Sequence, residues 1–270
     1  MKTISLTVAA LALATTFGSA MAEDKPEPML ISAKPPVAKD TIPTCKDLPN
    51  FAALSTALSA AQAKENGGFG LQMWGTIVNR DGEVCAVAKT GTNRGDQWPG
   101  SRVISAQKAN TANAFSLPGL SLSTANLYSA VQPGGSLFGL QESNPVDVSV
   151  AYAGKSVNFG TKNDPLVGKK IGGVNVFGGG LALYNASGIL VGAIGVSGDS
   201  SCADHNIAWR TRDALGLDKV PNGVAADKSD NIVFDIVNGK STSGWGHPTC
   251  GVSNEVDANN KVLTDAPLTK

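Results

Sequence analysis

Chain breakers set the first limit on this fold. Gly and Pro supply 31 and 14 of the 270 residues, one position in six. That density leaves no room for long helices and excludes a helical bundle. Hydrophobic residues still make up 42% of the chain, enough to build one sizeable core, so the expectation is a single α/β or α+β domain. The 22 basic and 22 acidic residues cancel, which argues against a nucleic-acid binder of the basic kind.

The N-terminus bears on compartment. Lys2, an apolar run from Ile4 to Phe17 and Ala20-Met21-Ala22 form the three parts of a secretory signal peptide. Residues 1–22 are therefore expected to be removed, leaving Glu23 first in a chain of the periplasm or medium. No later stretch is apolar for long enough to span a bilayer. Residues 23–44 carry five prolines among charged residues and read as an extended arm. The main domain is assigned to residues 45–216, and residues 217–270 to a C-terminal extension packed on it.

Four cysteines, Cys45, Cys85, Cys202 and Cys250, make an even set in an oxidising compartment. Three pairings are open. The favoured one joins Cys45 to Cys85 and Cys202 to Cys250, stapling the first helix to the first hairpin and the tail to the last helix. The absence of C-x-x-C-H excludes covalent c-type haem.

Apolar spacing predicts a helix from Phe51 to Ala61 stopped by Gly67-Gly68, and a second over Arg102 to Phe115. Two β-prone runs, 70–78 and 83–89, flank Asn79-Arg80-Asp81-Gly82, a hairpin signal. A short helix is expected over 124–131. Eleven Gly and Pro residues make 132–173 mostly loop, with a short strand at 146–152. A second hairpin, 181–184 and 189–197, is apolar enough to stand at the sheet centre. A helix from Cys202 to Leu215 follows, then a tail with one strand candidate at 231–237.

Several chemical motifs fail on spacing. Gly192, Gly195 and Gly198 read G-x-x-G-x-x-G, where a dinucleotide site needs G-x-G-x-x-G, so they are assigned to close helix–strand packing. Ser197 lacks the second glycine of a nucleophile elbow because Asp199 stands there. The sequon at Asn185 lies in a predicted turn. The only histidines, His205 and His247, each lie near a cysteine. A histidine at a helix start is held neutral by the helix dipole, the form that ligates iron or zinc. Both also suit structural roles.

Three ordered stretches, Ile104-Ser-Ala-Gln-Lys108-Ala109-Asn-Thr111-Ala112, Gly178-Gly179-Gly180-Leu-Ala-Leu and Gly192-Ala-Ile-Gly195-Val-Ser197-Gly198 with Asp204 following, resemble the haem-binding and haem-degrading family that includes the glycolate-utilisation accessory protein. QWPGSRVISAQKANTANAF and SGWGHPTC resemble its exported haem-binding subset. The resemblance implies a profilin-like α/β fold, with a central antiparallel sheet of about five strands flanked by helices. It also implies self-association and noncovalent haem. The assigned function is an exported haem-binding protein, for storage, transport, protection or degradation. A small-metabolite accessory module without haem is the alternative.

For haem, His205 is the first candidate iron ligand and His247 the second. Lys108, Thr111 and Arg210 are candidate haem-binding residues, and Arg102 and Arg212 further cations for the propionates. Tyr128, Tyr184 and Met73 are the substitute donors if histidine fails.

Overall fold

The first helix, α1 (Phe51–Gln62), starts where the Asn50 side chain accepts the Ala53 N–H, and it buries Leu54, Ala57, Leu58 and Ala61 along one face. The molecule is a computed structural model describing residues 44–269, so the expected signal peptide and all of the arm but Thr44 lie outside the described residues. After α1 come β1 (Trp74–Asn79) and β2 (Val84–Lys89), then α2 (Ser101–Phe115). Asn79 closes the first hairpin by accepting the N–H groups of Asp81 and Glu83, and Gly82 takes the left-handed conformation at φ 74°.

Two 3-10 turns, Thr124–Leu127 and Ser129–Val131, stand where one helix was expected. The short helices α3 (Leu140–Ser143) and α4 (Val148–Ala151) punctuate the long loop. α4 replaces the strand expected at 146–152, because the Asp147 carboxylate accepts the N–H groups of Ser149 and Val150 and turns the chain into a helix. Then follow β3 (Gly180–Tyr184), β4 (Leu190–Ser197) and α5 (Ser201–Ala214). Of the strand expected at 231–237 only β5 (Ile236–Val237) forms, paired with β6 (Lys240–Ser241). A helix the sequence reading lacked, α6 (Glu255–Asp265), lies against α5, where Trp209 donates to the Ala266 carbonyl at 2.8 Å.

The main sheet is antiparallel throughout and runs β2-β1-β4-β3, four strands rather than about five. β1 and β4 hold the centre and β3 is an edge, so only the returning strand of the second hairpin is central. Strand alternation sorts side chains to two sides. Ile77, Ala86, Leu181, Leu183, Ile194 and Val196 pack with Leu54, Leu58 and Trp209 of α1 and α5. Val78, Val87 and Ala193 pack with Val103, Ala106, Ala109 and Ala112 of α2. The result is three layers, helices on both faces of one sheet.

Gly195 sets the approach of α2. A Cβ there would stand 1.9 Å from the Ser105 carbonyl oxygen and 2.5 Å from the Ala109 nitrogen, so only glycine lets this helix sit on the sheet. Both sheet edges are occupied at one end. On β2, Val84 exchanges two backbone hydrogen bonds with Lys169 and Gly168. On β3, Tyr184 N–H donates to Leu217, and Thr124 and Arg212 side chains take Gly180 N–H and the Ala182 carbonyl. The chain is bonded Cys45–Cys85 and Cys202–Cys250, leaving no free cysteine.

Candidate functional site

The start of α5 gathers most of the residues singled out by sequence. Ser200 caps the helix by accepting the Ala203 N–H, and Asp199 before it accepts from Phe69, Leu71 and Ser200. Lys108 reaches from α2 past the end of the sheet and donates to Asp204 at 2.7 Å and to the Val196 carbonyl at 3.2 Å. Gly179 and Gly180 make room for Lys108, since a Cβ on Gly179 would meet its Nζ at 3.1 Å and one on Gly180 its carbonyl oxygen at 2.5 Å, while Gly178 clears the Ser201 carbonyl of α5. Burial holds the Asp204 carboxyl up at about 6 against the pull of the Lys108 ammonium.

His205, the next residue along α5, is wholly buried, and neither ring nitrogen has a hydrogen-bond partner. Burial lowers its pKa to about 3 against the negative charge of Asp230, so it is neutral, as expected at the sequence level, but desolvation rather than the helix dipole is the cause. It lines none of the grooves described below. His247 is 1% exposed and lowered to about 4, again by burial first. Its Nδ1 faces the Pro248 carbonyl at 2.7 Å, and because a carbonyl only accepts, Nδ1 carries the proton. Nε2 keeps the lone pair and receives the Gly178 N–H at 3.3 Å.

The other candidates hold protein groups. The Thr111 hydroxyl donates to Gln107 and accepts the Asn175 N–H. Arg210 pairs with Asp265 at 3.0 Å, and Arg212 forms a two-pronged pair with Asp230, both groups fully buried. Arg102 clasps Asp164 from two nitrogens. The Tyr184 hydroxyl donates to Leu117, and burial pushes its pKa up. Met73 is buried in the core. Tyr128 is half-buried, its ring 5.3 Å from that of His247.

Besides a 280 Å³ pocket beside Asp199 and a shallow 490 Å³ one between α1 and Leu215, two grooves open to solvent among the described residues. The larger, 850 Å³, runs between Tyr128, Pro133 and the tail residues Ile236, Lys240 and Pro248. The other, 460 Å³, is lined by Trp74, Arg94, Arg102, Val103, Tyr152 and Phe159. The Arg102 guanidinium lies 3.7 Å over the Phe159 ring, held there by Asp164, and Trp74 Nε1 donates to the Trp98 carbonyl. Arg94 bonds Ser156 at the rim, and Tyr152 is 69% exposed. Three aromatic rings, one free-standing phenol and a rim cation thus face one slot. No local sequence signal points to this groove, to which the 132–173 loop contributes Tyr152 and Phe159.

This frame matches the model of a known family, described as haem degrading protein HbpS-like, over residues 50–212, more than half of the chain. The protein belongs to the HbpS-like haem degrading protein family. Among solved structures it is similar to protein ORFY of Klebsiella pneumoniae at 24% identity, covering 62% of this chain and 90% of that one, with a TM-score of 0.41. It is also similar to a PduOC:heme complex, at 26% identity over 63% and 96% of the two chains with a TM-score of 0.43. For HbpS the figures are 18%, 67%, 95% and 0.41. A comparison with curated proteins found no match.

Proposed function

We propose that this protein binds haem noncovalently in the 460 Å³ aromatic groove, and that it does so as an exported protein that self-associates. The observation that carries the reading is the lining of that slot, which falls entirely within the residues matching the family. Its size lies within the range of small-molecule and cofactor sites. The larger groove takes six of its fourteen lining residues from beyond 212, outside the matched segment.

The residues fit the group. Trp74 and Phe159 supply apolar wall to a porphyrin, Arg94 a cation to a propionate, and the exposed Tyr152 phenol an oxygen donor to ferric iron. Arg102, already neutralised by Asp164, fixes the Phe159 ring rather than meeting the ligand. Haem, when bound, supplies an iron centre for oxygen or electron chemistry. Ligation by His205 would require the interior to open, since that imidazole is fully enclosed. Export is supported by the leader-like residues 1–22 and two disulfides, and no helix among the described residues is long and apolar enough to cross a membrane.

Hemin titration followed by the Soret band tests the site. Tyr152→Phe and Arg94→Ala should each weaken binding roughly tenfold or more, equivalent to about 1.4 kcal/mol. His205→Ala and His247→Ala should titrate like the unmodified protein. Loss confined to the histidine variants would move the iron to the ligands first expected from sequence. No saturable hemin binding by any form would leave the metabolite-binding alternative.

A further inference from the structure

One cluster plays no part in the haem reading. Cys202 Sγ, Cys250 Sγ and a ring nitrogen of His247 all lie within 4.8 Å of one another, at the first turn of α5. The Ser201 hydroxyl oxygen closes the group, 3.3 Å from Cys250 Sγ and 3.4 Å from His247 Nε2. Tetrahedral zinc bound by sulfur and nitrogen sets its donor atoms about 3.5–3.8 Å apart; the Ser201 contacts are already near that, and the two sulfurs, bonded at 2.03 Å, need to part by less than about 2 Å once reduced. We infer that, once the Cys202–Cys250 disulfide is reduced, these side chains form a binding site for a zinc-like divalent cation.

Three features go beyond proximity. The Nδ1–H of His247 is tied to the Pro248 carbonyl, which fixes the ring and presents Nε2 as the ligating nitrogen, the outer support that metal-binding histidines ordinarily have. The Cys202 N–H donates to Cys250 Sγ at 3.1 Å, a hydrogen bond suited to a thiolate. Cys250 and Ser201 are only partly buried, which leaves an entry path, while Cys202 and His247 are enclosed.

The redox step needs a dithiol reductant. It transfers two electrons and two protons to the disulfide, giving two cysteine thiols, and is itself oxidised to a disulfide. The cation then displaces the two thiol protons to solvent and is held by two thiolates and one imidazole, with the Ser201 hydroxyl or water in the fourth position. The tail carrying His247 and Cys250 therefore stays tied to α5 in both states, by a covalent bond in one and by the ion in the other.

The test uses the full chain, reduced with dithiothreitol, desalted without oxygen and titrated with Co2+ as a spectroscopic stand-in for Zn2+. Reduced protein should bind one equivalent, with thiolate-to-cobalt charge-transfer absorption, and oxidised protein none. Cys202→Ser/Cys250→Ser should abolish the band, His247→Ala should weaken binding roughly tenfold or more, and Cys45→Ser/Cys85→Ser should keep it. Zn2+ should also raise the Tm of the reduced wild type, a readout free of substitutions. A reduced wild type that gives no band and no Tm rise, or a band that survives Cys202→Ser/Cys250→Ser, overturns the proposal. Hemin titration of these variants keeps the haem reading separate, since none of them lines the aromatic groove.

Discussion

Acidification from pH 7 to pH 4 should destabilise the protein through its two interior imidazoles. His205 and His247 carry folded pKa values of about 3 and about 4, against 6.5 in the unfolded chain. A histidine whose folded value is depressed contributes stability that is present above 6.5 and lost as pH falls toward the folded value, because the unfolded chain takes up the proton first. Over this window each ring should remove about 3 kcal/mol. Asp204 works the other way. Its folded pKa of about 6 stands above the unfolded 3.8, so the fold binds that proton more tightly and gains about 2 kcal/mol over the same window. The net loss is about 4 kcal/mol, a large part of the 5–15 kcal/mol typical of a domain. Urea unfolding followed by tryptophan fluorescence should show the midpoint falling by roughly 2 M between the two pH values. His247→Gln should flatten that dependence by about three-quarters, and His205→Gln/His247→Gln should reverse its sign, leaving the Asp204 contribution. An unchanged midpoint in the wild type, or a double variant that loses as much as wild type, would refute the reasoning.

Other substitutions probe the frame. Gly195→Ala drives a methyl into the backbone of α2, which cannot yield as a flexible side chain would, and should cost at least about 3 kcal/mol in urea unfolding; a loss below about 1 kcal/mol would show that α2 can lift off the sheet. Cys45→Ser/Cys85→Ser opens a closure of sequence separation 40 and should cost about 4 kcal/mol on the chain-entropy model. An unchanged Tm would mean that the reduced chain is already constrained there. Light scattering of the full chain should show a dimer or larger species, and a monomer at micromolar concentration would contradict self-association.

The elements legible in sequence are those whose signals are local. α1, β2, α2 and α5 lie within a residue or so of their expected limits, and β1 ends as expected but starts four residues after the β-prone run does, because apolar spacing and the Asn79–Gly82 turn act over a few positions. The 146–152 stretch misled through its alternation, since Val146, Val148 and Val150 have strand spacing while Asp147 supplies a helix cap that outweighs it. α6 escaped although it is amphipathic, because its buried face is largely small or polar, with Glu255, Ala258, Asn259 and Val262 turned inward. At the candidate site the difficulty was distance along the chain. Trp74 and Phe159 meet only after the long loop folds back across β1, anchored by the Arg102–Asp164 pair, and no spacing rule spans such a separation. The histidines were visible as chemistry, but their enclosure is a property of tertiary packing.

The occupied sheet edges constrain how copies of this chain can meet. A strand edge with open N–H and C=O groups invites a neighbour to add its own strand, the route to runaway stacking. Here Lys169 and Gly168 fill that role on β2, while Leu217, Thr124 and Arg212 do so on β3. Strand addition is hindered at the Val84 end of β2 and along β3, so contacts between copies are expected on helix or loop surfaces, where the rotation relating two copies decides whether an assembly closes.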